Sequence, residues 1–240
     1  MLKELYKAIR GDAAPTIVEV GGREYSDKAL HPVHTPTPGT IQVKTLTALV
    51  DYLKTNVDSL DVSKLICHVE APHTVSIQSA LLGDFDDRKA FIRAELDQIS
   101  LPFNRWIDAE AFNIALQACF VEPDDVLQAT DRWLVLKYVS NIKTTAEAGI
   151  SDNGVSQAVT IKKGIASVEN SVLPNPVTLR PFRTFTEVEQ PASRFVFRVR
   201  HEDEMEFMLV EADGGAWRSE AMKNVKAFME KGAPGLNVIA

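Results

Sequence analysis

Apolar residues recur along the chain with two spacings, one typical of helices and one typical of strands. Within residues 44–57 they return every three or four positions, which predicts a helix with one apolar side. These residues are Leu46, Leu49, Val50, Leu53 and Val57. Residues 64–70 and 74–80 are instead rich in β-branched side chains and flank an Ala-Pro-His turn, which predicts two paired strands.

The centre of the chain has the pattern of a helical block. Residues 83–98 begin with Asp84, Asp86 and Asp87 and continue with Phe91, Ile92 and Leu96 at near-helical spacing. This order predicts a helix whose negative charges favour its N-terminal end. Asp108 is placed to cap a second helix that continues to Cys119.

A third helix is predicted to open at Pro123 and to continue to Asn141. Trp133, Leu134 and Leu136 crowd its middle, so we expect this helix to be well buried.

Strand patterns lie before and after this block. Residues 16–20 and 23–25 flank Gly21-Gly22 and predict a hairpin, because glycines supply the positive φ of a tight turn. Further strands are predicted at residues 155–162, 165–168, 177–182, 195–200 and 205–211. A closing helix begins near Trp217, and a Gly-Ala-Pro-Gly tail follows it.

We expect an α+β fold, with antiparallel sheet elements before and after a central helical block and a C-terminal helix. A single domain over residues 1–240 is expected, and the alternative is a division into 1–149 and 150–240.

The last two strands predict their own pairing. If paired positions sum to 404, Phe195, Phe197 and Val199 face Leu209, Phe207 and Met205 on a wholly apolar side. The other side then sets Arg198 against Glu206 and Arg200 against Glu204. A slip by one residue would place arginine against phenylalanine, so both faces favour this register.

Composition narrows the possible functions without naming one. The chain has 240 residues and a net charge of −7, which argues against broad nucleic-acid binding. No apolar run approaches the roughly 20 residues of a membrane helix. The charged N-terminus lacks the apolar core of a signal peptide, so a cytoplasmic protein without membrane contact is expected. Cys67 and Cys119 lie in apolar surroundings and are predicted to be free thiols rather than a disulfide.

No residue pattern predicts a catalytic centre. His68, Glu70 and His73 are of metal-ligand types but lack a zinc spacing, and the aspartates near residue 84 lack the other ligands of a calcium loop. The nucleophile-elbow pattern and the phosphate-cradling glycine loops are absent. We therefore assign no catalytic residue, metal or cofactor.

The motif Asp213-Gly214-Gly215 predicts a strand-to-helix turn, and anion binding by its backbone amides is the alternative.

The stretch 174–200 has the most unusual composition. It contains four prolines, five arginines, four phenylalanines and no lysine, which favours planar charge recognition over a solvated basic face. Arg180 and Arg183 flank Pro181 and have no obvious local partners, so a bound anion, an internal acid and a subunit contact are all open. The candidate ligand or interface residues are Arg180, Arg183, Phe182, Phe185, Glu187, Glu189, Gln190, Asp213 and Trp217.

Several short motifs resemble those of a phage and prophage family typified by the YfdQ protein. They are Asp-Asn-Gly-Val-Ser-Gln at 152–157, Pro-Asn-Pro-Val at 174–177, Leu-Arg-Pro-Phe-Arg-Thr-Phe at 179–185, Glu-Val at 187–188, Gln-Pro at 190–191 and Glu-Ala-Asp-Gly-Gly at 211–215 with Trp217. The resemblance extends over nearly the whole chain. It implies an accessory protein of tailed-phage genomes, connected with early DNA metabolism or host interaction, and it carries no catalytic residue to this chain.

Three functions follow as hypotheses. The first is a phage-type accessory protein that binds or self-assembles, as a homo-oligomer or with a host or phage protein, because Arg and aromatic residues are enriched at interface cores. The second is an enzyme or nucleotide-binding protein in which Arg180 and Arg183 hold a phosphorylated ligand beside Glu187, Glu189 or Asp213. The third is nucleic-acid binding through the same stretch.

Overall fold

The computed structural model describes residues 15–27, 38–82, 87–97, 99–101, 103–122, 131–143, 148–152, 157–163, 167–172, 175–201 and 204–240. The chain divides into two compact units, residues 1–39 and residues 40–240. Across the described residues the fold is α+β, with antiparallel and mixed sheets, a central helical block and a C-terminal helix, which confirms the predicted class.

The first unit contains one hairpin. Strands β1 (Ile17–Val20) and β2 (Arg23–Ser26) pair antiparallel across Gly21 and Gly22. Both glycines have positive φ, 62° and 77°, which is the backbone region that a side chain disfavours. The predicted hairpin is confirmed.

The second unit contains a five-stranded sheet. In order across the sheet the strands are β14 (Asn237–Ile239), β4 (Leu65–Ala71), β5 (Thr74–Ser79), β6 (Ala90–Glu95) and β3 (Ile41–Val43). Helices α1 (Leu46–Thr55) and α4 (Trp217–Gly232) contribute to the same hydrophobic core as these strands. We call this the first core. The predicted helix at 44–57 and both strands after it are confirmed.

Two predictions near this sheet are wrong. Residues 90–95 form strand β6 instead of part of a helix, because β6 pairs with β5 on one side and with β3 on the other. Ile92 and Ala94 face the core, and such pairing overrides a short helical pattern. The C-terminal tail also contains a strand, since β14 pairs in parallel with β4. The predicted aspartate cap lies largely in residues 83–86, outside the described residues.

A four-stranded sheet forms the other half of this unit. Its order is β11 (Val177–Leu179), β12 (Ser193–His201), β13 (Met205–Glu211) and β7 (Ile107–Asp108). Helices α2 (Ala109–Cys119) and α3 (Arg132–Lys143) share its hydrophobic core, which we call the second core. Asp108 caps α2 by accepting hydrogen bonds from the amides of Glu110 (2.9 Å) and Ala111 (2.8 Å), as predicted.

The register of β12 against β13 differs from the prediction by two residues. Phe197 faces Leu209 and Val199 faces Phe207, so paired positions sum to 406. Arg200 pairs with Glu206 (Nε–Oε2 2.6 Å), whereas Arg198 lies opposite Met208. A shift of two keeps every side chain on its predicted face, so the hydrophobic pattern alone does not distinguish the two registers. The observed ladder ends at the pair His201–Met205.

Helix α3 is buried on a different side from the one expected. Trp133 is 64% exposed and Leu134 is 36% exposed, whereas Val135, Tyr138 and Val139 face the second core. The buried guanidinium of Arg132 sets this orientation by donating to the carbonyl oxygen of Leu116 at the end of α2 (2.9 Å). The prediction that Trp133 and Leu134 are buried is therefore wrong, and Leu136 packs only partly.

A third sheet is antiparallel, with the order β10 (Ser167–Val172), β9 (Gln157–Lys163) and β8 (Ala148–Asp152). It contains the hairpin predicted after residue 154, with an additional strand before it. None of the helices in the described part of the chain combines the length and low polarity that a membrane crossing requires.

Candidate functional site

Residues 180–192, which we call the connecting segment, join the two cores. Leu179 before it and Phe195 after it are fully buried in the second core, whereas Phe185 in its middle is fully buried in the first. The Thr184 hydroxyl donates to the carbonyl oxygen of Pro72, in the turn between β4 and β5. The segment has no helix or β-strand of its own. Arg180 and Phe182 bond to the backbone of residues 119–121, and other backbone groups of the segment have side-chain partners.

Gln190 supplies most of those partners. Its side-chain oxygen accepts from the amides of Arg183 (3.0 Å) and Thr184 (3.2 Å). Its side-chain nitrogen donates to the carbonyl oxygens of Thr184, Phe185 and Val188 at 2.9–3.3 Å. Gln190 is 5% exposed. This candidate site residue thus holds the connecting segment in shape.

The two glutamates of the segment also have structural partners. Glu187 accepts from the amide (3.1 Å) and the hydroxyl (3.2 Å) of Thr47, in the first turn of α1. Glu189 pairs with Arg180, with Nη1 and Oε1 3.0 Å apart, and its side chain is 63% exposed. The predicted arrangement of Arg180, Arg183 and these carboxylates around one ligand is not the arrangement in the structure.

Arg183 lies in a buried and aromatic environment. Its side chain is only 6% exposed and donates to the carboxylate of Glu211 and to the hydroxyl of Ser193. Its guanidinium carbon lies 4.1 Å from the ring centre of Trp217 and close to 6 Å from those of Phe103 and Phe195. Burial lowers the pKa of Arg183, and the hydrogen bond and charge of Glu211 oppose that shift.

Asp213 and its two glycines form the turn that leads into α4. The Asp213 carboxylate accepts from the Gly215 amide (2.9 Å), and Gly214 and Gly215 have φ of 62° and 79°. The predicted strand-to-helix turn is confirmed. It places Trp217 at the first position of α4.

A cleft of about 330 Å³ opens where the two cores meet, and we call it the junction cleft. It is bounded by the β4–β5 turn, the residues after β6, the connecting segment and the start of α4. Its apolar walls are formed by Leu96, Ile99, Leu101, Phe103, Phe182 and Trp217. Polar side chains from His73, Asp97, Arg183, Thr184, Glu211 and Arg218 also line it.

Most of the charges that line the junction cleft are paired. Arg183 pairs with Glu211, and Asp97 pairs with Lys44 (Nζ–Oδ1 2.6 Å). Arg218 is exposed, and its side chain forms no ion pair with any carboxylate in the described ranges. Its guanidinium carbon lies 4.9 Å from the ring centre of Trp217. Among the lining residues that the structure describes, Arg218 is thus the arginine without an ion-pair partner, and it lies beside an aromatic ring.

Three of the nine candidate residues line the junction cleft: Phe182, Arg183 and Trp217. The other six, Arg180, Phe185, Glu187, Glu189, Gln190 and Asp213, lie outside its lining. Sequence reasoning missed Ile99, Leu101, Phe103 and Arg218. The alternation of Ile99, Leu101 and Phe103 was the one local signal for the wall that they form.

Of the residues weighed as metal ligands, Glu70 has structural partners. Glu70 pairs with Arg93 (Oε2–Nη1 2.8 Å) and accepts from the hydroxyl of Ser76 (2.7 Å). His73 lines the junction cleft. Within the described part of the chain, no group of three or more His, Cys, Asp or Glu side chains is placed to hold a metal ion. Cys67 and Cys119 are free, as predicted, with Cys67 buried and Cys119 half-buried.

The chain matches no family model, and no curated protein or solved structure matches it significantly.

Proposed function

We propose that this protein is a phage-type accessory protein of the bacterial cytoplasm that acts by binding, and that the junction cleft is its binding site. The observation that carries the proposal is the cleft itself, an opening of about 330 Å³ with apolar and aromatic walls and polar side chains among them. A concave site that combines apolar surface with placed polar groups is typical of small-ligand sites, whose volumes begin at about 300 Å³. The phage setting is supported by the motifs at residues 152–157, 174–185 and 211–217.

Three of the polar side chains at the junction cleft have structural partners, which supports binding over catalysis for these three; His73 and Thr186 also line the cleft. A general base or nucleophile needs a side chain within hydrogen-bond reach of the reacting atoms. At the junction cleft, Glu211 is bound to Arg183, Asp97 to Lys44, and the Thr184 hydroxyl to a backbone carbonyl. These groups hold the walls in place, and the walls offer apolar surface to a ligand.

A cleft-filling variant tests this function. Ile99 lines the junction cleft and is 47% exposed, so Ile99→Trp adds bulk there without entering a core. Ile114→Trp is the matched control, because Ile114 is 59% exposed on α2 and does not line the cleft. Ligand-observed NMR with a library of small aromatic and aliphatic fragments should give hits with the wild type and Ile114→Trp. Ile99→Trp should lose them. Equal hits with all three proteins, or none with the wild type, would rule out the junction cleft as the binding site.

We also propose that the protein self-associates into a homo-oligomer. This part of the proposal is supported by the exposed Trp133, because tryptophan is enriched at protein interfaces. Native mass measured over a wide range of protein concentration should show an oligomer that forms with increasing concentration. A strict monomer over the whole range would remove this part of the proposal.

A further inference from the structure

The charge balance of the junction cleft indicates the chemistry of its ligand. We propose, on the basis of the function proposed above, that the ligand is a small monoanion with an apolar body, and that Arg218 binds its carboxylate. Arg183 and Arg218 are the two arginines of the described cleft lining, and Arg183 is already paired with Glu211. Arg218 forms no ion pair with a carboxylate of the described residues, so its guanidinium is available to a negative ligand. The Asp213 carboxylate, which accepts from the Gly215 amide, also lies near these arginines.

The position of Arg218 is set by its neighbours. Its guanidinium lies against Trp217, and the chain beneath it is Gly215, which has φ of 79°. A Cβ atom at residue 215 would lie 2.1 Å from Nη1 of Arg218, so a side chain there would displace the guanidinium. The lack of a side chain at residue 215 leaves room for the guanidinium where it lies. A guanidinium is planar and presents parallel N–H donors, which match the two oxygens of a carboxylate better than a lysine ammonium does.

The apolar walls of the junction cleft favour a ligand whose uncharged part is apolar and flat. Ile99, Leu101, Phe103 and Phe182 offer apolar and aromatic surface. Aromatic rings pack well against a flat apolar body in an offset or edge-to-face arrangement. The volume of about 330 Å³ limits the ligand to a small molecule or to one side chain of a larger one.

A single negative charge fits better than two. The carboxylates of Glu211 and Asp97 also line the junction cleft, and each forms an ion pair with one basic side chain. A second negative charge on the ligand would meet no further arginine without an ion-pair partner among the described lining residues. A carboxylate is therefore preferred to a phosphate dianion.

Three probes of nearly equal shape test the proposal. They are 2-naphthoate, 2-naphthamide and 2-naphthylmethylammonium, which carry negative, zero and positive charge on the same ring system. Isothermal titration of the full chain should show 2-naphthoate binding about tenfold more tightly than 2-naphthamide, because a hydrogen bond to a charged group contributes more than one to a neutral group. The cationic probe should bind most weakly. Raising the salt concentration should reduce the preference.

Variants at Arg218 test whether this residue causes the preference for 2-naphthoate over 2-naphthamide. Arg218→Met should remove the advantage of 2-naphthoate and leave 2-naphthamide binding unchanged, and Arg218→Lys should restore only part of it. Arg194→Met is the control, because Arg194 is an exposed arginine outside the cleft lining. The melting temperature of each variant, measured alongside, verifies that it folds.

Equal affinity for 2-naphthoate and 2-naphthamide in the wild type would overturn the inference while the cleft remains a binding site. A preference that survives in Arg218→Met would overturn the role of Arg218. No binding of any probe, together with no fragment hits, would overturn the proposed function itself.

Discussion

The ion pair between Arg183 and Glu211 is the interaction whose removal tests the structure most directly. Glu211→Gln keeps the shape of the side chain and removes its charge, so Arg183 is left as a buried cation without a carboxylate. Arg183 is 6% exposed at its side chain and Glu211 is 27% exposed. Removing one partner of a buried pair costs about 3–5 kcal/mol. We expect about 3 kcal/mol, the low end, because contact with the Trp217 ring still stabilises the cation.

Glu189→Gln is the matched control. It makes the same chemical change to the partner of Arg180, three positions before Arg183 in the connecting segment. The Glu189 carboxylate is 63% exposed, and exposed ion pairs contribute about 0–1 kcal/mol. Urea unfolding of both variants measures the free energy of unfolding, with a constant m-value as evidence that only stability has changed. The two variants should differ by about 2–3 kcal/mol, which is the difference between the two expected losses.

A double variant separates the ion pair from the other contacts of Arg183. Arg183→Met alone loses the pair and the hydrogen bond to Ser193, and Arg183→Met with Glu211→Gln should cost clearly less than the sum of the single changes. Equal losses for Glu211→Gln and Glu189→Gln would refute the reasoning, since burial would then make no difference. Additive losses in the double variant would show that Arg183 and Glu211 do not interact.

Three further changes test other parts of the fold, each measured as a free energy of unfolding. Gln190→Ala removes five hydrogen bonds from the connecting segment and should cost about 3 kcal/mol; wild-type stability would contradict its bridging role. Phe185→Ala should cost about 3–5 kcal/mol and Phe182→Ala under about 2 kcal/mol, since only the first ring is fully buried; equal losses would contradict the packing. Burial raises the pKa of Cys67 from 9.0 to about 12, so the folded state favours the neutral thiol. The contribution of this thiol to the free energy of unfolding is therefore complete below pH 9 and is lost as the pH rises towards 12. Cys67→Ala should show a smaller fall in the free energy of unfolding above pH 9 than the wild type, and the same fall in both proteins would contradict the burial of Cys67.

Local patterns were enough to predict the elements whose partners lie close in the chain. The apolar stripe of α1, the Asp108 cap of α2 and the Gly21-Gly22 hairpin each depend on neighbouring residues, and all three are confirmed. Strand β6 depends instead on pairing with β3 and β5, which a short sequence window does not contain. The two-residue error in the register of β12 and β13 has another cause: side chains alternate with period two, so a shift of two leaves both faces unchanged.

The candidate site was predicted only in part for a similar reason. Arg180 and Arg183 flank the same proline and have the same local chemistry. Their environments differ because Arg183 meets Glu211, 28 positions later, whereas Arg180 meets an exposed glutamate nine positions later. Nothing in the sequence around the two arginines distinguishes these partners. The opposite wall of the cleft, including Ile99 and Leu101, comes from a segment about 80 positions earlier and is joined to Arg183 only by the fold.

The unusual composition of residues 174–200 has a structural explanation that also accounts for the cleft. A segment that crosses between two cores without a helix or strand needs other partners for its backbone, and Gln190 supplies several of them. The Thr184 hydroxyl joins the segment to the first core by donating to the carbonyl oxygen of Pro72. The segment must also fill both cores, which is the role of Phe185 and of Phe195 beyond it. Two cores joined in this way leave a gap along the junction, and the gap is the junction cleft. Arg180, Arg183 and Arg200 of the stretch form ion pairs with glutamates, so the arginine proposed to bind a ligand is Arg218, outside residues 174–200.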